Sequence, residues 1–319
     1  MTDDASFTAK QTASQIAVTA VSAPAPLADE AALLQQGLFS RRKVFRLTRH
    51  VVDFFLLASL FVVAYTAVWE YSTRRYLKGF ADAVIPESVS PEQKIQAILD
   101  WMSSPAAQLT PVFVGNPSDR DPIDTLNYQA LLQVCGTATN AFINLADSAG
   151  LRARRLLLLD ANGRAKHVDA EVLLDGRWIV VDPAFRVILR GPDGNTLTRD
   201  QLANPAAFAA ATRNVPKYDR DYSFEDTAHV RIARARFIGA PLSKTLHFLL
   251  PTWDDSTTIS LIMERESLAA TIIAIAIALF LCLARILLRW YGERYLRMRS
   301  ARIRQQLRRA YQAFLSSAS

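Results

Sequence analysis

Two long apolar runs divide the chain into three parts. The first, Phe54 to Trp69, is uncharged, and the second, Ser267 to Ala284, has no polar face. Because about 20 apolar residues cross the hydrocarbon core of a bilayer, the runs predict membrane-spanning helices over residues 44–69 and 267–288. The first run could instead belong to a cleaved signal peptide. A long preceding segment and the lack of a small-x-small cleavage site after it favour an uncleaved anchor.

Basic residues flank the outer ends of both runs. Residues 268–319 carry nine arginines and one glutamate, whereas residues 70–267 carry a net charge of −2. The overall charge of +7 is therefore a property of the C-terminal tail, and a nucleic-acid partner loses most of its support. The positive-inside rule predicts that both termini are cytoplasmic and that residues 70–266 lie across the membrane. A two-pass plan of this kind is typical of a bacterial inner-membrane protein with a periplasmic domain.

The two terminal segments differ in composition. Residues 1–43 are rich in Ala, Ser, Thr and Gln and predict a disordered cytoplasmic N-terminus, with a short amphipathic helix over 27–38 as an option. Residues 289–319 alternate apolar residues with arginines and predict a basic amphipathic cytoplasmic helix. That helix could lie on anionic lipid headgroups, or it could dock a cytoplasmic partner. Asp53 stands four residues after Arg49, a spacing that allows a helical ion pair.

Helix signals come first in the central region. Ser90-Pro91-Glu92-Gln93 is a capping box with proline in the first turn, and it predicts a helix through Trp101. Four prolines over 103–123 predict a loop, and Asp124 is the predicted cap of a short helix or turn after it. Residues 135–149 predict a helix that stops at Gly150.

Three strands follow these helices. They are predicted over Arg152–Leu159, Arg164–Leu174 and Arg177–Asp182, joined by turns at Asp160–Gly163 and at Asp175-Gly176. Together with the helices they predict an α+β domain over residues 70–205. Residues 206–266 are the predicted extension that returns to the membrane, in which 230–238 fits either a strand or a helix.

The Asp175-Gly176 turn fixes a register for the second hairpin. With Leu174 opposite Arg177, Asp169 faces Asp182, and His167 is diagonal to Asp182 on the same face. We expect the helix that begins at Cys135 to pack across that face and to bring its thiol to the imidazole.

These three residue types are those that assemble a thiolate nucleophile. A helix N-terminus and a protonated histidine lower the pKa of a thiol, while a carboxylate fixes the tautomer of the imidazole. Taken singly, Cys135, His167 and Asp182 are more simply explained as a buried thiol, a satisfied polar residue and a strand end. Their occurrence together in this order is what favours covalent acyl transfer.

Other chemistries have less support. Two cysteines, one of them Cys282 inside the second apolar run, give neither a disulfide framework nor metal-ligand spacing. His50, His229 and His247 have no cysteine or carboxylate at a useful spacing, so neither a metal nor another cofactor is expected. The chain has no glycine-rich phosphate loop.

The segment Cys135-Gly-Thr, followed by Asn140 to Arg154, then His167-x-x-x-Glu171-Val-x-Leu-x-Gly-Arg-Trp178-x-x-Val-Asp182-Pro183, resembles the transglutaminase-like superfamily. The resemblance covers about a sixth of the chain directly. It implies a papain-like fold in which the helix that bears the cysteine packs on an antiparallel sheet. It also implies that Cys135 is the nucleophile, His167 the base and Asp182 the orienting carboxylate in a transglutaminase, peptidase or amidase.

Two departures bear on substrate class. Asp169 occupies a position that is typically aromatic in that superfamily, and Gln133-Val134 stands where many members carry a glycine. Gln129 and Gln133 are weak candidates for a second oxyanion donor. Asp169 and Trp178 are further weak candidates for contact with substrate or with the triad.

The sequence therefore predicts a membrane-anchored thiol enzyme that acts on peptide or amide bonds in the cell envelope. Its expected partners are a peptide, protein or envelope-polymer substrate and the membrane lipids. The alternative is a catalytically idle domain of the same fold, a scaffold that binds peptide or polysaccharide in an envelope or exopolysaccharide assembly.

Overall fold

A computed structural model describes residues 28–104, 117–230 and 255–295, with Phe248, Trp253 and Ser316; side chains are described from Lys43 onward. The helices are α1 (Ala28–Val84), α2 (Pro91–Ser103), α3 (Pro122–Asn127), α4 (Gln129–Leu132), α5 (Cys135–Ser148), α6 (Arg199–Leu202), α7 (Pro205–Thr212), α8 (Thr257–Glu264) and α9 (Glu266–Arg294). The strands are β1 (Ala153–Leu159), β2 (Ala165–Leu174), β3 (Arg177–Asp182), β4 (Val187–Ile188) and β5 (Thr227–Ala228).

The chain forms two compact units. One contains residues 1–53 and 284–319, and the other contains residues 54–283. Within the first unit, Asp53 pairs with Arg49 at 3.8 Å, as its spacing predicts, and also with Arg285 at 2.6 Å.

The two helices α1 and α9 are long and apolar enough to cross a membrane, judged by length and composition. They contain the two predicted spans. Helix α1 begins at Ala28, so the structure supports the optional helix over 27–38 rather than disorder for residues 28–43, which continue the helix of the apolar run without a proline. Residues 1–27 lie outside the described part of the chain. Beyond the predicted span, α1 continues to Val84 and buries Leu77 and Ala81 in the core of the second unit.

The described strands of the second unit form one antiparallel sheet in the order β4-β3-β2-β1-β5, which confirms the α+β class. The predicted hairpin register is also confirmed, with Leu174 opposite Arg177 and Ala170 opposite Val181. Asp175 and Gly176 both have positive φ, 48° and 79°, which is the geometry of a type I′ turn.

The two faces of the sheet carry different cores. Helix α5 packs Ala141, Phe142 and Leu145 against one face, where Ala170 and Val172 of β2 also point. The opposite face is covered by a second core whose members include Leu156, Leu158, Val180, Phe208, Tyr218 and Phe224. Because side chains alternate along a strand, His167 and Asp169 belong to this second face. The expectation that α5 crosses the face of His167 is therefore wrong.

The predicted helix ends are mostly confirmed. The capping box of Ser90 and Gln93 is present at the start of α2. Gly150, with φ of 79°, ends α5. The cap before Cys135 is corrected: Asp121, not Asp124, caps α3 by accepting a hydrogen bond from Ile123 N–H at 2.9 Å. The carboxylate of Asp124 instead accepts from Ser118 N–H at 2.7 Å, since it lies inside the first turn.

The described residues of 206–266 complete the domain rather than merely extending it to the membrane. Phe208, Tyr218 and Phe224 enter the second core. Ser260 in α8 accepts a hydrogen bond from Arg155 N–H at 2.8 Å, which closes the far side of β1. The ambiguous segment 230–238 lies outside the described residues beyond Val230, as does the predicted basic tail beyond Tyr295, apart from Ser316.

Candidate functional site

Cys135 is the first residue of α5 and is a half-buried free thiol. Its N-cap, Val134, has no side-chain hydrogen bond to offer the first turn. The backbone N–H groups of that turn therefore keep hydrogen-bonding capacity for a neighbouring anion. The Gly136 N–H group interacts with the Cys135 sulfur in this way and helps to lower the pKa of the thiol.

The thiol reaches His167 although α5 lies on the other face of the sheet. The β2–β3 ladder ends at Ala170 and Val181, so the beginning of β2 has an edge that β3 does not cover. There, Thr139 Oγ1 of α5 donates to Val168 C=O at 3.0 Å. The Val168 N–H group and the imidazole of His167 both interact with the Cys135 sulfur and lower the pKa of the thiol. The helix start is thus fastened to the strand next to the histidine.

Two carboxyl groups approach the same nitrogen of His167. Asp182 Oδ2 lies 2.8 Å from Nε2 in a well-aligned hydrogen bond, and its Oδ1 accepts from Phe185 N–H at 3.0 Å. Asp169 Oδ1 lies 3.2 Å from Nε2, but neither Asp169 oxygen has a well-aligned hydrogen bond among the described residues. Since Nε2 faces the carboxyl groups, Nδ1 is the nitrogen left for Cys135.

The electrostatics favour a charged thiolate–imidazolium pair. The hydrogen bond from His167 lowers the pKa of Cys135, with further help from the Val168 and Gly136 N–H groups, and this outweighs the opposing effect of burial. Burial alone would lower the pKa of His167. Its close contacts with Asp169, Asp182 and Cys135 outweigh burial and raise that pKa well above its usual range.

Aromatic side chains that the sequence did not single out surround the imidazole. Tyr222 stacks on His167 with ring centroids 4.4 Å apart and an interplanar angle of 14°. Phe185 and Tyr218 lie 5.9 Å and 6.4 Å from the same ring. Tyr222 lies 55 residues after His167, so neither periodicity nor spacing connects the two residues.

The weaker sequence candidates other than Asp169 lie at α4 and on β3. Gln129 begins the short helix α4, and Gln133 follows its last residue. Trp178 is four residues before Asp182 on β3, about 13 Å along an extended strand. It lies under the guanidinium of Arg154, whose Cζ is 4.0 Å from the ring centroid, and so belongs to another cluster.

His229 belongs to this other cluster, and it has carboxylate partners that its spacing in the sequence did not predict. Its Nε2 lies 2.7 Å from Glu171 Oε2, and its Nδ1 lies 2.8 Å from Asp255 Oδ1. Arg154 also pairs with Glu171, at 2.7 Å. These partners are too far from His229 in sequence, 58 residues in the case of Glu171, for spacing to reveal them.

Within the described part of the chain, one group of ligand-type atoms is close enough to hold a metal ion. His167, Asp169 and Asp182 each offer an atom within 4.8 Å of the others, and all three side chains are buried. The direct 2.8 Å hydrogen bond between His167 and Asp182 already uses the imidazole nitrogen that a metal would need.

A cavity of about 260 Å³ adjoins the Cys135 end of α5. Its wall includes Val168, which contacts the thiol, and Arg155, whose Nη2 donates to Gly136 C=O at 2.9 Å. Met263 and Leu157 add apolar surface, and Arg120 adds a second cation. Glu264 also lines the cavity and pairs with Arg155 at 3.0 Å, so the recess is partly apolar and carries charges of both signs.

No protein-family model matches the chain, and comparisons with curated proteins and with solved structures likewise find no match.

Proposed function

We propose that the chain is a membrane-anchored thiol acyltransferase or hydrolase of transglutaminase-like type, with Cys135 as nucleophile, His167 as acid–base group and Asp182 as orienting carboxylate. The observation that carries the proposal is the imidazole of His167, held at Nε2 by Asp182 and hydrogen-bonded on its other side to the thiol of Cys135. This order of contacts is that of a papain-like triad.

The reaction follows from these contacts. The thiolate of Cys135 attacks the carbonyl carbon of an amide, a C–S bond forms, and the carbonyl π electrons move onto oxygen. The imidazolium of His167 gives its proton to the leaving nitrogen as the C–N bond breaks, which leaves a thioester. His167 then takes a proton from water or an amine, which attacks the thioester and releases the thiolate. The N–H groups at the start of α5, which has no side-chain cap, would stabilise the oxyanion.

The substrate class follows from the surroundings. The partly apolar cavity with Arg120 and Arg155 suits a peptide or another amide-bearing polymer of the cell envelope. Two candidate spanning helices flank the domain, and the basic residues outside them favour a periplasmic domain in a bacterial inner membrane. Water is the default acceptor, so hydrolysis is favoured over crosslinking.

The test is the reactivity of Cys135 in the full-length chain in detergent, with Cys282→Ala to leave a single thiol. A thiol of ordinary pKa is about 0.3% ionised at pH 6, so an activated Cys135 should react with iodoacetamide much faster than a free thiol there. His167→Ala should slow this reaction about a hundredfold, the equivalent of two pKa units. His50→Ala removes an exposed histidine outside the domain and should leave the rate unchanged.

A second readout addresses acyl transfer itself. Incubation with p-nitrophenyl acetate should leave one acetyl group on Cys135, detected by intact mass, and none in Cys135→Ala. A slow thiol that does not depend on His167, with no acetyl adduct, would contradict the enzyme and leave the idle scaffold as the better account.

A further inference from the structure

Asp169 is a fully buried carboxyl group that has no role in a triad of Cys135, His167 and Asp182. Its side chain is 0% exposed, and neither oxygen has a well-aligned hydrogen bond within the described residues. Burying an unpaired carboxylate is costly, and a group in that position usually becomes neutral or acquires a partner. The nearest candidate partner is His167 Nε2, 3.2 Å from Oδ1.

The sheet register explains why two carboxyl groups meet one nitrogen. His167 and Asp169 are two residues apart on β2 and so share a face, and the β3 register turns Asp182 toward the same place. One Nε2–H group cannot donate fully to both carboxyl groups. Two carboxylates within 4.8 Å of each other also repel, which favours a single proton held between them.

We infer that Asp169 is a second positioning residue for His167, an inference that rests on the function proposed above. Asp169 and Asp182 share one proton, so that either carboxyl group can orient the imidazole. In this arrangement Asp182 takes the aligned hydrogen bond and Asp169 holds the proton. If Asp182 is lost, Asp169 ionises and takes its place.

The groups that face the pair are consistent with this exchange. Burial, followed by the charge of Asp182, raises the pKa of Asp169 well above its usual range, which favours the protonated form of Asp169. Burial and both carboxyl groups raise the pKa of Tyr218, which therefore stays neutral. Tyr222 stacks on the imidazole, Cys135 lies on its other side, and Arg186 faces Asp182 from the loop after β3.

A double-mutant cycle on Cys135 alkylation at pH 6 tests the inference, with Cys282→Ala in every variant. Asp169→Asn keeps the shape and neutrality of the protonated acid, so its rate should stay within about threefold of the parent. Asp182→Asn should be about tenfold slower, and the double variant about a hundredfold slower, the level of His167→Ala. Asp200→Asn, which removes an exposed carboxylate on α6, is the matched control and should leave the rate unchanged.

Two results would overturn the inference. One is that Asp182→Asn alone falls to the level of His167→Ala and the double variant adds nothing, because Asp169 would then not be a partner. The other is protection of Cys135 by added zinc that disappears in Asp169→Asn, because the three side chains would then form a metal site.

A spectroscopic readout separates this inference from the proposed function. In ¹⁵N-histidine NMR spectra at pH 7, His167 should remain charged in Asp182→Asn and become neutral in the double variant, whether or not the thiol reacts. A neutral His167 in Asp182→Asn would contradict the inference alone. If Asp182→Asn does not fold, ¹³C-carboxyl NMR of the parent decides: one of the two carboxyl groups keeping its proton above pH 6 supports sharing, and ionisation of both by pH 5 overturns it.

Discussion

Arg265 and Glu70 form a buried ion pair, with Nη1 and Oε1 3.4 Å apart and side chains 1% and 9% exposed. The same guanidinium donates from Nε to Asn144 Oδ1 at 2.8 Å and pairs through Nη2 with Asp147 at 2.9 Å. Ser267 Oγ donates to Glu70 Oε2 at 2.7 Å. One arginine therefore ties α1 and the residues that begin α9 to the helix that presents Cys135.

Loss of Arg265 should destabilise the domain strongly. Arg265→Met removes the buried cation from the carboxylate of Glu70 and leaves only the exposed Arg74 as its ion-pair partner, and breaking a buried pair costs up to about 3–5 kcal/mol. The measurement is thermal or denaturant unfolding of the full chain in detergent. Arg289→Met removes an arginine from α9 that is 65% exposed and should change stability by less than about 1 kcal/mol. Equal effects of the two substitutions would contradict a structural role of the buried pair.

Thr139 should control the placement of the thiol. Thr139→Val keeps the shape of the side chain but removes the hydrogen bond to Val168 C=O, at a cost of about 1–3 kcal/mol for an unpaired buried carbonyl. Because Val168 also contacts the Cys135 sulfur, alkylation of Cys135 at pH 6 should slow severalfold. Ser148→Ala removes a hydroxyl that bonds within the same helix, to Asn144 C=O, and should leave the rate unchanged. An unaltered alkylation rate in Thr139→Val would show that the hydrogen bond to Val168 C=O does not control the placement of the thiol.

Tyr222 should stabilise the charged imidazole through its ring. An aromatic face next to a cation contributes about 0.5–2 kcal/mol, so Tyr222→Ala should lower the pKa of His167 and slow Cys135 alkylation below neutral pH. Tyr222→Phe keeps the ring and serves as the control for the hydroxyl group. The pH profile of alkylation is the measurement, and identical profiles for the alanine and phenylalanine variants would contradict a role for stacking.

Glu171 should make the fold sensitive to acid. Burial raises its pKa, but the hydrogen bond with His229 and the charge of Arg154 outweigh burial and hold the pKa below the usual 4.5. A carboxyl group with a lowered folded pKa stabilises the fold above its unfolded pKa, and this stabilisation is lost as pH falls through the folded value. The melting temperature should therefore decrease below about pH 4.5.

The Glu171→Gln variant isolates this effect. It should melt at a lower temperature at pH 7 and show a flatter dependence on pH in the acid range. Glu225→Gln, an exposed carboxylate, should retain the parent profile. A Glu171→Gln profile parallel to that of the parent would assign the acid sensitivity to other groups.

Much of the local structure is determined by short stretches of the sequence. The Asp175-Gly176 turn sets the register, because a two-residue turn with both φ angles positive admits one pairing of the flanking strands, and alternation then puts His167, Asp169 and Asp182 on one face. Ser90 and Gln93 cap α2, and Gly150 ends α5, through hydrogen bonds within a few residues. Apolar runs of spanning length likewise depend on composition alone.

Only the tertiary structure decided which face α5 covers and how Cys135 reaches the histidine. Both faces of β2 are buried, so its pattern does not say where the helix lies. The thiol meets His167 from the opposite face because β2 extends beyond the end of β3, a property of neither strand by itself. The stacking of Tyr222, the two carboxylates around His229 and the burial of Arg265 join segments 26 or more residues apart, where no sequence period carries information.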